Sequence, residues 1–227
     1  MKIDYWQTLN ENAYYHIYNR TNGNALLFCS PDNYQFFLQK WQLYFDDYLD
    51  TYAYCLMSNH FHFIVKVKPV DDAFKAKLQT ENTVAAKAFL LKKITLDAFL
   101  EDQCKRFFTS YAKAFNKQQK RHGSLFEKRF KRIELKTPLQ LLEKIAYVHH
   151  NPLHHDLSPF YDSWQYSSYS TYLSNKPTKL KRQEGLWLFD KLKGALEVFI
   201  LYHQEYDKRW VQSKGRLQID DEMDFDL

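Results

Sequence analysis

"DTYAYCLMSNHFHFIVKVKP", residues 50–69, decides the fold. Two runs of aromatic and β-branched residues flank a short polar break near Met57 to Asn59, and Pro69 closes the second run. The pattern predicts two strands joined by a tight turn. Alternate residues of a strand point to one side, so His60 and His62 project together while Phe61 turns to the opposite face. Imidazoles beside Ile64, Val65 and Val67 carry a solvation cost unless their nitrogens are occupied. A backbone group, a carboxylate or a metal ion would each serve, and the His-x-His pair alone does not choose among them.

Outward from the hairpin, "AYYHIYNRT" (13–21) is rich in strand formers and is followed by the turn-prone "NGN". Ser30 and Pro31 then open a helix that carries Phe36, Phe37, Trp41 and Tyr44 as a stripe. Residues 71–120 are helical in character, as two or more helices, with Gly123 as the stop. "RFKRIELK" (129–136) reads as a short strand. "TPLQLLEKIAYVHHN" (137–151) is a helix capped by Thr137, with Pro138 first and Leu141, Leu142 and Ile145 on one face; it is expected to end before Pro152. The order implies an α+β fold, a small antiparallel sheet with helices packed on one face. Residues 1–157 form the expected domain, with a helical insertion at about 71–122. A mostly helical extension, 158–227, follows, with its last amphipathic helix at roughly 185–210.

At 227 residues the chain has room for one sizeable core and an appendage. Its net charge of +5 is less informative than the distribution. Lys113, Lys117, Lys120, Arg121, Lys128, Arg129, Lys131 and Arg132 fall in one stretch with a single acid, Glu127. Acids gather instead at the end, in "DDEMDFD" (220–226). A basic face suits a polyanionic partner, and the acidic tail is a candidate to lie in the same groove. Of these basic residues, Lys128, Arg129, Lys131 and Arg132, with Arg20, are the candidate phosphate contacts. Phe126 and Phe130 are candidates for base stacking or for the core. Three dispersed cysteines form neither a disulfide framework nor a thiolate metal site. No apolar run reaches membrane-spanning length and the first residues do not read as a signal peptide, so a reducing cytoplasm is expected.

Near the end of the 137–151 helix, Tyr147 and Asn151 stand at i and i+4 and share a face. They read equally as a core-edge tyrosine beside a helix-terminal asparagine. Tyr111 in "FFTSYAKAFN" is a second tyrosine, with poorer spacing to an amide, and is assigned to packing or stacking. "HHNPLHH" (149–155) concentrates four histidines, but Pro152 lies between His150 and His154 and argues against a continuous face there. Phosphate contact or a base for Tyr147 is the expected use.

Taken together and in order, "SNHFHFIV" (58–65) and "IAYVHHNP" (145–152) resemble the HUH single-strand DNA transposases, and most closely the REP-associated tyrosine transposases. The resemblance extends to "YYHIYNRTNGNALLF" (14–28), "GSLFEKRFKRIEL" (123–135) and "WQYSSYSTYL" (164–173), roughly residues 13–173 in all. It implies a ferredoxin-like fold, His60, His62 and Asn151 as ligands of a Mg²⁺ or Mn²⁺ ion, and Tyr147 as nucleophile. It also implies single-stranded or hairpin DNA as substrate, a 5′-phosphotyrosine intermediate and a place at a bacterial nucleoid. A monomer is favoured over a dimer, because the chain carries a long extension where shorter relatives exchange the tyrosine helix. The alternative is a hairpin-binding protein without strand transfer; a third reading, an unrelated metal hydrolase, would use His60 and His62 and not need Tyr147. One departure stands out: Asp156 occupies a position where the family usually has glycine, so the turn after the helix is expected to differ.

Overall fold

Strand β1 (Tyr14–Arg20) leads into α1 (Pro31–Phe45), and the hairpin follows as β2 (Leu49–Leu56) and β3 (His60–Val67). Next come α2 (Asp72–Thr80), α3 (Val84–Leu90), α4 (Leu96–Gln118), β4 (Lys131–Leu135) and α5 (Pro138–His154). Among the described residues three more helices follow: α6 (Tyr169–Tyr172), α7 (Arg182–Phe189) and α8 (Ala195–Ser213). The computed structural model describes residues 4–23, 25–191 and 194–213. The acidic run at 220–226 lies outside the described residues. Among the described residues no helix is long and apolar enough to cross a membrane.

The four strands pair antiparallel in the order β2-β3-β1-β4, which is the ferredoxin-like arrangement. Alternation along β3 divides the molecule. Phe61, Phe63, Val65 and Val67 enter a core with Phe37, Trp41 and Phe45 of α1 and Phe107 and Tyr111 of α4. Trp41 lies flat on Phe63, with ring centroids 3.6 Å apart. Ile64 instead faces Leu141, Ile145 and Val148 of α5. The α1–α4 pair therefore covers one face as expected, and α5 adds a third layer on the other. Helices α2 and α3 pack on this chain through Phe74, Leu78 and Ala86.

Local chemistry explains the helix ends. Thr137 and Gln140 form a capping box at the start of α5. Contrary to the sequence expectation, α5 runs through Pro152 to His154. Proline this near the terminus removes one helical bond, and the freed end is closed by His155 N–H on the Asn151 carbonyl and Leu157 N–H on the Pro152 carbonyl. Asp156 then takes φ 53°. Aspartate tolerates this left-handed conformation better than most residues, so the turn survives without the expected glycine. At the end of α4 the left-handed position falls on Lys120, φ 51°, ahead of Gly123.

The C-terminal part docks along the β2 edge and onto α5. Trp164 Nε1–H donates to the Leu56 carbonyl at 3.0 Å, and Ser168 N–H to that of Tyr54 at 2.9 Å. A buried chain links α5 to α8: His203 Nδ1 lies 2.7 Å from the Phe199 carbonyl, His203 Nε2 lies 2.9 Å from His149 Nδ1, and His149 Nε2 lies 2.8 Å from Ser168 Oγ. The carbonyl can only accept, so His203 is protonated on Nδ1, His149 donates to His203, and Ser168 donates to His149. Burial holds both rings neutral, with His149 well below the usual imidazole range and His203 lowered to about 3. Their stabilisation is present above pH 6.5 and is lost as the pH falls from 6.5 toward 3, where the unfolded chain binds protons the fold excludes. Urea midpoints should fall between pH 7 and pH 5. His203→Gln should flatten the dependence by about one proton, about 1.4 kcal/mol per pH unit; an unchanged slope would refute the assignment.

Candidate active site

The register fixes which side chains meet. Tyr18 pairs with His62, Arg20 with His60 and Tyr18 with Lys131, so Arg20, His60, His62, His16, Tyr18 and Lys131 all belong to the α5 face. The His60 and His62 rings stand 5.0 Å apart. Tyr147, half-buried on α5, presents its ring edge-on, 5.7 Å from His62 and 5.9 Å from His16. One turn on, the buried Asn151 donates its Nδ2 to the Tyr147 carbonyl at 2.9 Å, leaving Oδ1 as its electron-pair end. The half-buried His155 ring lies 5.5 Å from His60. The sheet thus brings His60, His62 and Tyr147 together, and α5 supplies Asn151 from the same helix.

The nitrogens have defined Nδ1 partners. His60 Nδ1 is 2.6 Å from Asn59 Oδ1; the amide oxygen only accepts, so Nδ1 carries a proton and Nε2 is the nitrogen left for a metal ion. His62 Nδ1 is 2.9 Å from Nε2 of the fully buried His16. Burial, then the neighbouring histidines and Lys144, hold His62 well below the ordinary imidazole range. Burial followed by Lys144 does the same for His16. His62 Nε2 is buried and has no hydrogen-bond partner among the described residues. Two neutral imidazoles and a carboxamide oxygen fit a divalent cation that keeps its charge for a phosphate.

Three members of this site escaped the sequence reading. Lys144 carries its Nζ 4.9 Å from the centre of the Tyr147 ring; the i, i+3 spacing to Tyr147 was the available signal. Asn59 stands in the turn directly before His60. His16 had no local signal at all, since only the β1–β3 register sets it against His62.

The predicted basic residues separate. Lys131 lies on the His62 side, its Nζ 4.8 Å from the Tyr5 ring centre and 5.7 Å from that of Tyr18. Arg20 pairs with Glu127 at 2.5 Å and stays partly exposed. Lys128 and Arg129 are exposed and rim a cavity of about 680 Å³ between α4 and residues 123–130, on the other side of the sheet. Arg132 is a correction: 2% exposed, it bonds Asp97 and Glu101 of α4 and the Gln7 carbonyl. A strand alternates with period two, so the neighbour of Lys131 points to the α4 side, where burial and its carboxylate partners take up its guanidinium. Phe126 and Phe130 are both core residues. Tyr111 is buried and donates to the Leu27 carbonyl at 2.8 Å, and burial pushes its phenol up; it is no rival nucleophile. Because α5 continues past Pro152, His150 and His154 do share a face, and both rings meet Trp210 of α8, at 5.5 and 4.5 Å. No cluster of three or more His, Cys, Asp or Glu side chains suited to a metal occurs among the described residues.

No protein-family model matches the chain. A Haemophilus influenzae protein assigned by its name to the REP-associated tyrosine transposases is 22% identical over 120 residues, 53% of this chain and 58% of that relative. The chain therefore matches little more than half the length of the curated relative. Among solved structures, a REP-associated tyrosine transposase bound to a REP hairpin superposes with a TM-score of 0.54 at 12% identity, covering 78% of this chain and 89% of that one. The fold is shared at that level. Sequence match, fold match and the two motifs converge on one group: this chain is similar to the REP-associated tyrosine transposases.

Proposed function

We propose that the protein is a divalent-metal-dependent single-strand DNA transposase that nicks and rejoins DNA at hairpin-forming repeats. The Tyr147 ring 5.7 Å from His62, which itself stands 5.0 Å from His60, with α5 belonging to the same chain as the sheet, is the observation that supports this reading. His60, His62 and Asn151 would hold Mg²⁺ or Mn²⁺, which when bound supplies charge to polarise the scissile phosphate. The Tyr147 hydroxyl gives up its proton as its oxygen forms a bond to phosphorus, the bond from phosphorus to the 3′-oxygen breaks, and the departing 3′-oxygen takes up a proton. The product is a 5′-phosphotyrosine and a free 3′-hydroxyl; attack by another 3′-hydroxyl reverses the step. Arg20, Lys128, Arg129 and Lys131 are the proposed backbone contacts, with Lys131 and Arg20 on the catalytic side. A monomer suffices, because α5 serves its own sheet.

The test is a covalent-adduct assay. Labelled oligonucleotides bearing hairpins from the DNA around the gene, with Mn²⁺, should give a denaturation-resistant protein–DNA band that a chelator removes. Tight hairpin binding without any band would favour a recognition protein without strand transfer.

Lys144 belongs to this reading. Its cation lies over the Tyr147 ring and adds positive charge where a phosphate would be attacked. Lys144→Met should slow adduct formation about tenfold while leaving hairpin affinity within about twofold. A loss of hairpin affinity by the same factor would instead mean that Lys144 only positions DNA.

A further inference from the structure

We infer that His16 is a positioning residue that keeps the proton of His62 on Nδ1 and its lone pair on Nε2, ready for a divalent cation. The inference rests on the metal-dependent reading above. One proton lies between His16 Nε2 and His62 Nδ1, 2.9 Å apart. Each neutral ring carries a single N–H, so two arrangements exist. With the proton on His62 Nδ1, Nε2 is a ligand; with it on His16, His62 Nε2 carries hydrogen and cannot bind a metal. A cation on His62 selects the first.

The surroundings argue that this bond is why His16 is a histidine. Its ring is 0% exposed and stacks on Tyr18 at 4.6 Å and 20°. Its bond to His62 leaves Nδ1 with no partner among the described residues. A phenylalanine would occupy such a place without an unsatisfied nitrogen. The register pairs His16 with Ile64 and Tyr18 with His62, so the two imidazoles meet diagonally across paired strands. Asn59 does the same for His60 from the adjacent position, at 2.6 Å. Both histidines of the pair therefore have an Nδ1 partner, the contact through which outer-shell groups orient metal-bound imidazoles.

Two measurements test this on the full chain, neither of which is activity. Long-range ¹H–¹⁵N correlation spectra of metal-free protein should show His62 as the Nδ1–H tautomer, and His16→Phe should move it toward Nε2–H. Titration with Mn²⁺ followed by electron paramagnetic resonance, without DNA, should show 10- to 100-fold weaker binding for His16→Phe. His16→Gln, whose amide oxygen can accept the same proton, should bind within a few-fold of the parent. An Nε2–H tautomer in the parent protein, or undiminished Mn²⁺ affinity in a folded His16→Phe, would overturn the inference. Undiminished binding by His62→Ala would instead sink the metal reading, which the tautomer measurement does not depend on.

Discussion

Tyr147→Phe should reduce the covalent protein–DNA adduct by at least about a thousandfold while leaving hairpin affinity within about twofold. The substitution removes one oxygen and leaves the ring that packs edge-on against His62 and His16. In the proposed reaction binding draws on the basic face, whereas bond formation to phosphorus draws on that oxygen alone. Denaturing gels with a parallel gel-shift titration separate the two. Tyr111→Phe is the control: its hydroxyl is held by the Leu27 carbonyl inside the α1–α4 core, so adduct formation should persist. An adduct that survives Tyr147→Phe would refute the assignment of the nucleophile, and with it the proposed reaction.

Arg132→Ala should destabilise the fold by about 3 kcal/mol, read as a lower urea midpoint. Its guanidinium bonds the Gln7 carbonyl at 2.5 Å, Glu101 at 2.8 Å and Asp97 at 3.0 Å, and Asp97 also accepts Leu9 N–H at 2.8 Å. It thereby ties the N-terminal segment and β4 to α4. Loss of one partner leaves carboxylates without their cation. Asp97 and Glu101 keep 22% and 41% of their side-chain surface exposed, so water relieves part of the penalty and the low end of the buried-pair range is expected. A phosphate-contacting arginine would behave differently. Its loss would spare stability and reduce the salt dependence of DNA binding by about one ion. That outcome would restore the role the sequence suggested for it.

The sequence carried much of this architecture. Period-two alternation in residues 60–67 put the two histidines on one side and Phe61 on the other, because a strand's side-chain direction is a local property. The Thr137–Pro138 start and the i, i+4 pairing of Tyr147 with Asn151 were equally local. Local rules misplaced the helix end at Pro152, since the bonds that close that turn come from residues 155 and 157.

Tertiary structure decided the rest. Whether Arg132 or Lys131 faces the α5 side depends on the register of β4 against β1, and a shift by one residue would exchange them. Nothing near His16 in the chain announces His62, 46 residues away. The layer in which α5 lies and the docking of α8 through His149 and His203, 54 residues apart, likewise follow from packing. The sequence determined which chemistry-bearing side chains share a strand or a helix, because those periods are set by covalent geometry. Only the folded sheet determined which strand and helix meet, because pairing and burial are selected over the whole core.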